Sequence, residues 1–383
     1  MPEPTDLIVL GAGAVGSAAA YHAARRGLRV LLLEQYAIDH QRGSSYGASR
    51  IIRYAYDHPA YVELARAAYP AWAELEQEAG ETLFYPTGGV DIAREGEPAF
   101  EACVATLQAE GIPFELLNAD DARKRFPQIR LEDDMRLLYQ ADAGILPASR
   151  CVRAQVRLAE QHGAVVHAEE PVLNVSVNDT GVTVTTTKNT HSAGALILAA
   201  GAWANDLLEP LGFPLPLQPV RCQENYFAPA DPKPFEIGSM PVFIAHMTDD
   251  YGYKPYGLPS IDGSGFKLAL HGGPDFDPHD PERTVDPSVI AAARRFADRY
   301  LPGAADQHVF SRVCLYTMTP DEHFIVDTHP AHPNLVVSAA CSGHAFKFSN
   351  LLGSILVDLA TEGHTAHDIS LFRASRFAES AQS

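Results

Sequence analysis

Cysteine is scarce in this sequence and shows no pattern of pairing. The five cysteines, among 383 residues, are odd in number, lie far apart and form no Cys-x-x-Cys pair. Such spacing offers neither a disulfide framework nor the paired ligands of a zinc site. We therefore predict no metal site, and we expect any cysteine chemistry to involve a single thiol.

Long hydrophobic runs and an excess of basic charge are also missing. No apolar run approaches the roughly 20 residues that span a bilayer, and no basic segment precedes the short apolar stretch near the start. The 48 acidic side chains outnumber the 29 basic ones, giving a formal net charge of −19. Such a surface repels nucleic acid and anionic membranes. We predict a soluble, cytoplasmic protein with no nucleic-acid or membrane partner.

Apolar side chains, by contrast, are plentiful. They make up 46% of a chain of 383 residues, which is enough for two domains that each have a core. No internal repeat or low-complexity segment interrupts them. We expect a globular protein of two domains.

The most informative stretch lies at the front of the chain. Residues 6–10 form an apolar run typical of a buried strand, and Gly11-Ala12-Gly13-Ala14-Val15-Gly16 follows at once. A helix-like run over 17–26 leads to a second apolar strand over 29–33, which ends at Glu34. Strand, glycine turn, helix, strand and acidic terminus together predict a dinucleotide-binding βαβ unit.

Each glycine of this unit has a separate physical role. Gly11 permits the tight turn, Gly13 lets the backbone approach a pyrophosphate, and Gly16 lets the helix pack on the strand. The helix N-terminus offers unpaired N–H groups to the phosphates. Glu34 is placed to accept hydrogen bonds from an adenosine ribose. The unit alone does not distinguish FAD from NAD.

The remaining pattern predicts an α/β fold plus an antiparallel sheet. We expect a discontinuous Rossmann-like cofactor domain formed by residues 1–80, 150–218 and 320–383. Residues 81–149 and 219–319 are richer in strand patterns, and we predict that they form an inserted substrate domain. A substrate site between the two domains is the expected consequence.

Several polar side chains have two interpretations when only their spacing is considered. Arg50 and Arg53 lie three apart near the predicted cofactor site and are either anion ligands or exposed residues. Lys267 and His271 share one face of a predicted strand, which suits either a site or surface decoration. Cys314 is either a small buried hydrophobe or a reactive thiol.

Seven segments nevertheless form a larger pattern in a fixed order along nearly the whole chain. They are residues 11–16 with Glu34, 43–53, the Ala-Ala-Gly-Ala-Trp turn at 199–203, Lys267 with His271, 313–317, 320–327 and 342–349. Together they resemble the monomeric sarcosine oxidase and N-methyltryptophan oxidase family of FAD-dependent amine oxidases. The resemblance implies an FAD-binding Rossmann-like domain with an inserted substrate domain.

The resemblance also implies individual roles. Cys314 lies where the family forms a thioether to the flavin ring, so FAD is expected to be covalently bound. Arg53 and Lys347 match the pair that binds the substrate carboxylate. Lys267 matches the lysine associated with oxygen activation, since a cation stabilises the negative charge that develops on O₂.

The remaining implied roles fall into three groups. The other residues matched to catalytic positions are His271, Arg50 and Tyr316. Those matched to the substrate site, besides Arg53 and Lys347, are Tyr256 and Tyr46. The positions matched to cofactor binding are Gly11, Gly13, Ala14, Val15, Gly16, Glu34, Ser44, Ser49, Arg50, Val172, Ala200, Gly201, Trp203, Cys314, Gly343, His344, Phe346 and Lys347.

Two of these positions depart from the family pattern. Tyr46 stands where the family often has histidine, and Ser49 where it often has threonine. Serine keeps the hydroxyl, whereas tyrosine is bulkier and carries no positive charge at neutral pH. Flavin reactivity or substrate preference is therefore expected to differ at Tyr46.

The function implied by the resemblance is oxidation of a secondary amino acid such as sarcosine by a monomeric enzyme. The C–N bond becomes an imine, water hydrolyses it to an aldehyde and a primary amino acid, and O₂ is reduced to H₂O₂. The residues leave open the N-substituent of the substrate and the route by which hydrogen leaves the amine. Alternatives are an oxidase of N-methyltryptophan, a cyclic imino acid or a glycated amino acid, a flavin dehydrogenase, and a non-catalytic flavin-binding subunit.

Overall fold

The α-helices have at most 14 residues, apart from one of 21 residues. The computed structural model describes residues 5–247 and 252–377. In these ranges the α-helices are Ala14–Arg25 (α1), Pro59–Ala79 (α2), Pro98–Ala109 (α3), Ala119–Arg125 (α4), Ala148–Gln161 (α5), Ala204–Leu208 (α6), Pro287–Tyr300 (α7) and Ser349–Glu362 (α8). Among the helices so described, none combines the length and apolar character needed to cross a bilayer.

The strands are mostly short. They are Thr5–Leu10 (β1), Val30–Leu33 (β2), Arg50–Ile52 (β3), Tyr85–Pro86 (β4), Gly89–Arg94 (β5), Glu115–Asn118 (β6), Met135–Gln140 (β7), Gly144–Leu146 (β8), Val165–His167 (β9), Val172–Asn178 (β10), Gly181–Thr186 (β11), Thr190–Leu198 (β12), Gln218–Ala228 (β13), Val242–Ala245 (β14), Lys254–Leu258 (β15), Phe266–His271 (β16), Gln307–Met318 (β17), Ile325–His329 (β18) and His332–Ala339 (β19).

The first sheet contains the glycine-rich unit. Its parallel part runs β9, β2, β1, β12, β19, and β10, β11 and β18 add antiparallel pairs. All four residues of β2 are buried, as expected for a parallel strand that is covered on both faces. The predicted strand–helix–strand unit at the front of the chain is thus confirmed, with β1 at the centre of the parallel part.

A layer of helices covers one face of this sheet. Helix α1 packs between α5 and α8, and its buried side is almost entirely alanine and glycine. The close approach depends on Gly353 of α8, because a Cβ there would lie 2.5 Å from the Cβ of Ala18. Small residues thus let the helices lie near the sheet and near one another.

The second sheet has two chemically different faces. Its strand order is β17, β13, β16, β15, β14, β5, β7, β6. On one face Phe227, Phe266 and Leu268 pack against Phe296 of α7. Because side chains alternate along a strand, the opposite face of β13, β16 and β15 carries Glu224, Lys267, His271 and Tyr256.

The predicted antiparallel arrangement holds for most of this second sheet. Strands β13, β16, β15 and β14 pair antiparallel in turn, whereas β14 pairs parallel with β5. A third, three-stranded sheet of β3, β8 and β4 holds Arg50 near both larger sheets. The fold class predicted from sequence, α/β with an additional sheet-rich part, is confirmed.

Candidate active site

A long cleft runs along the carboxyl ends of the parallel strands and is partly open to solvent. One end is lined by Glu34 and Val172, and the other by Tyr316, Gly343 and Phe346. The carboxyl edge of a parallel sheet is where open α/β folds bind ligands. The cleft is therefore the candidate cofactor site.

The glycine turn brings backbone into this cleft at close range. Gly11 has φ of +93°, and a Cβ there would lie 2.5 Å from the carbonyl oxygen of Ala199. A Cβ on Gly16 would lie 1.8 Å from the carbonyl oxygen of Gly11. Both positions therefore exclude any side chain, as the sequence predicted. The N–H of Ala14, at the start of α1, donates to Ser45 Oγ over 2.9 Å.

Glu34 lies at the far end of the cleft with 4% of its surface exposed. Its carboxylate accepts hydrogen bonds from the N–H groups of Ala12 at 2.8 Å and Tyr36 at 2.9 Å. Burial raises the pKa of the carboxyl group, and these two hydrogen bonds oppose the rise. The two bonds fix the carboxylate at the carboxyl end of β2, where a ribose would lie.

Three polar atoms in the lining of the cleft have no hydrogen-bond partner although they are buried. They are Trp203 Nε1, Thr317 Oγ1 and Ser349 Oγ. Buried polar groups without partners are rare in folded proteins and call for a ligand or water. Together with the glycine approach, this shows that the cleft residues fit a long polar molecule such as FAD.

A second space, the inner cavity, adjoins the cleft. Arg50, Tyr316, Gly343 and Phe346 line both spaces. The inner cavity is also lined by Arg53, Tyr256, Lys267, His271 and Lys347. A molecule in the inner cavity would therefore meet one end of a molecule in the cleft.

Arg53 is held in the inner cavity by a buried carboxylate. Its guanidinium lies 3.4 Å from Asp91 Oδ1 and 4.7 Å from the centre of the Tyr56 ring. Asp91 also accepts from His246 Nε2 at 2.8 Å. Burial would raise the pKa of Asp91, but Arg53 and His246 hold it below the usual range. Arg53 is consequently charged and fixed in direction.

Lys347 lies on the same cavity and is only 5% exposed. Its Nζ donates to Tyr56 Oη and to the carbonyl oxygen of His344, both at 2.8 Å. Burial and the nearby Arg53 lower its pKa well below the usual range. In the described part of the chain no carboxylate pairs with this ammonium. An anionic ligand would supply the missing charge.

Lys267, Arg50 and Glu224 form a buried cluster where the two spaces meet. Glu224 Oε1 lies 2.5 Å from Lys267 Nζ and 3.2 Å from an Arg50 guanidinium nitrogen. Lys267 also donates to the carbonyl oxygen of Ser49 at 3.2 Å. Burial opposes charge on Glu224, yet Lys267 and Arg50 together lower the pKa of its carboxyl group. The carboxylate is therefore ionised.

Three further polar groups that face the inner cavity, His271, Tyr256 and Tyr316, are neutral at pH 7. Burial and the nearby Lys254, Lys347 and Arg53 lower the pKa of His271 to about 4. Burial raises the pKa of Tyr256 and Tyr316 well above the usual value. A neutral imidazole has one nitrogen free to accept a hydrogen bond from a substrate N–H.

The loop between β19 and α8 has an unusual backbone that shapes the junction. Ala340 and Ser342 adopt φ of +59° and +40°, and Gly343 adopts +73°. A Cβ on Gly343 would lie 2.5 Å from both His271 and Tyr316. Non-glycine residues in the left-handed region are strained, and such strain concentrates at functional sites.

Cys314 lies beside the cleft but is not part of its lining. It is 2% exposed and packs with Tyr46, Cys222 and Tyr316. Burial and Glu224 raise the pKa of its thiol to about 12, against the influence of Arg50 and Lys267. Cys341 lines the cleft and contacts the same cluster.

Most residues singled out from sequence lie on one of the two spaces. The cleft is lined by Gly11, Gly13, Ala14, Val15, Glu34, Ser44, Tyr46, Arg50, Val172, Ala200, Gly201, Trp203, Tyr316, Gly343 and Phe346. The inner cavity is lined by Ser49, Arg50, Arg53, Tyr256, Lys267, His271, Tyr316, Gly343, His344, Phe346 and Lys347. Gly16 and Cys314 line neither.

Three of these residues line a space other than the expected one. Tyr46, expected at the substrate, lines the cleft instead, and its Oη donates to the carbonyl oxygen of Val313 at 2.5 Å. That hydrogen bond directs the side chain towards β17. Ser49 and His344, expected at the cofactor, line the inner cavity rather than the cleft, and Lys347, expected at both the substrate and the cofactor, lines the inner cavity.

Three buried charged or polar groups in this region, Asp91, Glu224 and His246, were not among the residues singled out from sequence patterns. Each lies on a strand or just after one, among residues that are otherwise buried. An acidic residue within an apolar strand was the available signal, because a charge inside a sheet is expected to have a partner.

Comparison with known proteins gives the same assignment as the geometry. A sequence profile described as "FAD dependent oxidoreductase" matches residues 6–359. A monomeric sarcosine oxidase from Streptomyces avermitilis is 38% identical over 98% of this chain and 99% of its own. An N-methyl-L-tryptophan oxidase from Salmonella arizonae is 35% identical over 98% of this chain and 99% of its own.

A solved structure extends the comparison to the whole fold. NikD, described as an unusual amino acid oxidase essential for nikkomycin biosynthesis, superposes with a TM-score of 0.86. It is 28% identical, and the superposition covers 97% of each chain. The two spaces described above therefore belong to a fold that is known among FAD enzymes. The chain belongs to the FAD dependent oxidoreductase family, among the relatives of sarcosine oxidase and N-methyltryptophan oxidase, and is an FAD-dependent oxidoreductase that acts on CH–NH groups.

Proposed function

We propose that this protein oxidises a secondary amino acid, with sarcosine or another N-methyl amino acid as its substrate. The C–N bond of the substrate becomes an imine, which water hydrolyses to an aldehyde and a primary amino acid. The electrons reduce O₂ to H₂O₂. The Streptomyces and Salmonella relatives are named as oxidases of this kind.

The observation that supports this proposal most directly is the charge on the inner cavity. Arg53 has its carboxylate partner, whereas the buried Lys347 has only a phenol and a carbonyl oxygen near its ammonium. A substrate carboxylate bound between them completes the charge balance and accepts hydrogen bonds from both. The substrate is thereby held by its acid end.

The opposite wall suits the amine end. His271 is uncharged at neutral pH, so it does not repel an amine and can accept its N–H hydrogen bond. Tyr256 and Tyr316 remain protonated, and their hydroxyl oxygens lie 3.3 Å apart. Bound FAD would supply the redox chemistry, and these side chains orient the amine at the junction with the cleft.

We also propose that Cys314 carries the flavin through a thioether bond. The thiol is buried beside the cleft, and the nearby Arg50 and Lys267 oppose the rise in its pKa that burial and Glu224 cause. Acid precipitation should then leave the yellow colour with the polypeptide, and Cys314→Ala should release it. Cys341→Ala is the matched control, because Cys341 lines the cleft itself. Release by the control alone, or free flavin from the unaltered protein, contradicts this assignment.

We further propose the domain bounds, the cellular location and the oligomeric state of the protein. We propose a cofactor domain of residues 1–80, 150–218 and 320–383 and a substrate domain of 81–149 and 219–319. We propose a cytoplasmic location, with which the five free cysteines are consistent. We propose a monomer because the Streptomyces relative is named as a monomeric enzyme. Light scattering of the purified flavoprotein measures the oligomeric state, and a mass of twice the chain contradicts the monomer.

The decisive experiment is a substrate panel. Peroxide release is measured with purified flavoprotein on sarcosine, N-methyltryptophan, a cyclic imino acid, a glycated amino acid and dimethylamine, which lacks the carboxylate. We expect turnover of at least one N-methyl amino acid and none of dimethylamine. Flavin reduction without peroxide would instead identify a dehydrogenase. Absence of flavin reduction by every amino acid would contradict the proposal.

A pair of lysine substitutions tests the carboxylate site. Lys347→Met should raise KM for the amino acid by about tenfold or more, because a charged hydrogen bond to the carboxylate is lost. Lys254→Met is the control, since Lys254 lines the same cavity but is not one of the two residues assigned to the substrate carboxylate. Equal effects of the two substitutions would show that general charge, rather than Lys347, attracts the substrate.

A further inference from the structure

Glu224 is the buried carboxylate of this region that the proposed reaction does not use. It is 2% exposed and lies on β13, on the face that points to the inner cavity. One oxygen contacts both Lys267 and Arg50, and Tyr226 Oη donates to the other at 3.0 Å. Each side of the carboxylate therefore has a protein partner.

The contacts of Glu224 reduce the positive charge where the two spaces meet. Lys267 and Arg50 share one carboxylate, so the cluster retains a single positive charge close to the end of the cleft. Without Glu224 the same place would hold two unbalanced cations. In a buried site of low dielectric constant, that difference strongly alters the stability of any nearby negative charge.

The geometry also fixes the direction of the Lys267 ammonium. Its Nζ is bound to Glu224 and to the carbonyl oxygen of Ser49, and it lies 5.7 Å from the centre of the Tyr256 ring. The carboxylate is thus both the counter-ion of Lys267 and one of the groups that hold it in position. Arg50, which lines both spaces, is linked to it through the same oxygen.

We propose that Glu224 is a positioning residue that limits the positive charge presented to the bound flavin, and so keeps the flavin harder to reduce than Lys267 and Arg50 alone would make it. This inference rests on the proposed placement of a flavin ring at the junction. Reduction and anion addition both place negative charge on the flavin ring. Partial neutralisation of the two cations therefore disfavours both.

Glu224→Gln tests the proposal because the amide keeps the shape and removes the charge. The readouts are the midpoint potential of the flavin and the affinity of the oxidised flavoprotein for sulfite. We expect sulfite to bind about tenfold more tightly and the potential to rise by about 30 mV, the equivalent of a factor of ten for a two-electron couple. An unchanged potential and sulfite affinity would overturn the proposal.

Glu170→Gln is the matched control. Glu170 is also buried, but its N–H donates to the carbonyl oxygen of Glu34 at 2.9 Å, at the other end of the cleft. It should leave both readouts unchanged, and a shift equal to that of Glu224→Gln would refute a local charge effect. If Glu224→Gln fails to retain flavin, Glu224→Asp decides, because a shorter carboxylate should give a smaller shift of the same sign. No shift in that variant overturns the proposal.

These experiments distinguish an error in the role of Glu224 from an error in the proposed substrate. Amine oxidation with no shift in the Glu224 variants contradicts only the role of Glu224. A shift in potential without oxidation of any amine contradicts only the proposed substrate. Glu224→Gln combined with Lys267→Met should return the potential towards that of the unaltered protein, because one charge of each sign is then removed.

Discussion

Substitution of Gly343 by alanine tests the geometry of the junction most directly. The residue has φ of +73°, and an added Cβ would lie 2.5 Å from His271 Cε1 and 2.5 Å from Tyr316 Cε2. Alanine in the left-handed region costs roughly 1–2 kcal/mol. Displacement of two packed rings adds about 1–3 kcal/mol. We therefore expect Gly343→Ala to lower the free energy of unfolding by about 2–5 kcal/mol.

Gly363 provides a control with the same backbone but free space. It ends α8 with φ of +75°, and no atom lies within 4 Å of an added Cβ. Gly363→Ala should therefore show only the backbone effect of roughly 1–2 kcal/mol. The difference between the two variants isolates the contact with His271 and Tyr316.

The assay is urea unfolding of both variants beside the unaltered protein, together with KM for the amino acid that is turned over best. We expect a larger loss of stability and a higher KM for Gly343→Ala, because the displaced rings line the substrate cavity. Equal losses of stability for the two variants would refute the close packing at the junction. An unchanged KM would refute its role in substrate binding.

Further predictions concern Tyr46, Trp203 and His22. Tyr46→Phe removes the hydrogen bond to Val313 and should lower the free energy of unfolding by about 1 kcal/mol; its KM should not change, and a raised KM would restore a substrate role. In a Cys314→Ala background, Trp203→Phe should weaken FAD retention measured by dialysis without altering apoprotein stability, because the unpartnered Nε1 is lost; equal retention contradicts that contact. Burial lowers the pKa of His22 to about 4 from 6.5, so the unfolded chain binds the proton first and stability falls as pH drops from 6.5 to 4. In urea titrations His22→Gln should reduce this fall by about 1 kcal/mol per pH unit; an identical slope would show that His22 is protonated in the folded state.

Local signals accounted for much of the fold. The glycine turn predicted β1, α1 and β2 because each step depends on residues that are close in sequence. The helix start at Asp286 was equally local, and its carboxylate accepts from the N–H of Ser288 at 2.8 Å, with Pro287 in the first turn. These features need no knowledge of the rest of the chain.

Such local signals do not predict which residues face one another on neighbouring strands. Glu224 follows Gln223 and precedes Asn225, and all three are buried on alternate faces. Periodicity does not show that Lys267, on a neighbouring strand, faces Glu224. Only the register of β13 against β16, which aligns Tyr226 with Lys267, brings the two charges together. Asp91 on β5 and Arg53, just after β3, belong to two different sheets, and only the packing of those sheets brings them into contact.

The roles of individual cavity residues were predicted only through the resemblance. It grouped Arg53, Lys347, Lys267 and His271, and the structure places all four on one cavity. It matched Tyr46 to the substrate site. In the structure the Tyr46 hydroxyl reaches the carbonyl oxygen of Val313, and the side chain lines the cleft. Tyrosine is larger than the histidine that the family often has at this position, and sequence similarity does not identify the hydrogen-bond partner of the larger side chain.

The strand order of the first sheet has a consequence for how the protein is made. Strand β1 is translated before β12 and β19, and β12 pairs with both β1 and β19, so the sheet stays open until residues 332–339 have been synthesised. His22 of α1 likewise finds Asn350 of α8 across 328 positions. Such distant contacts slow folding and leave apolar edges exposed meanwhile. The glycine-rich unit is therefore translated well before its sheet is completed, which ties flavin capture to the synthesis of residues up to 339.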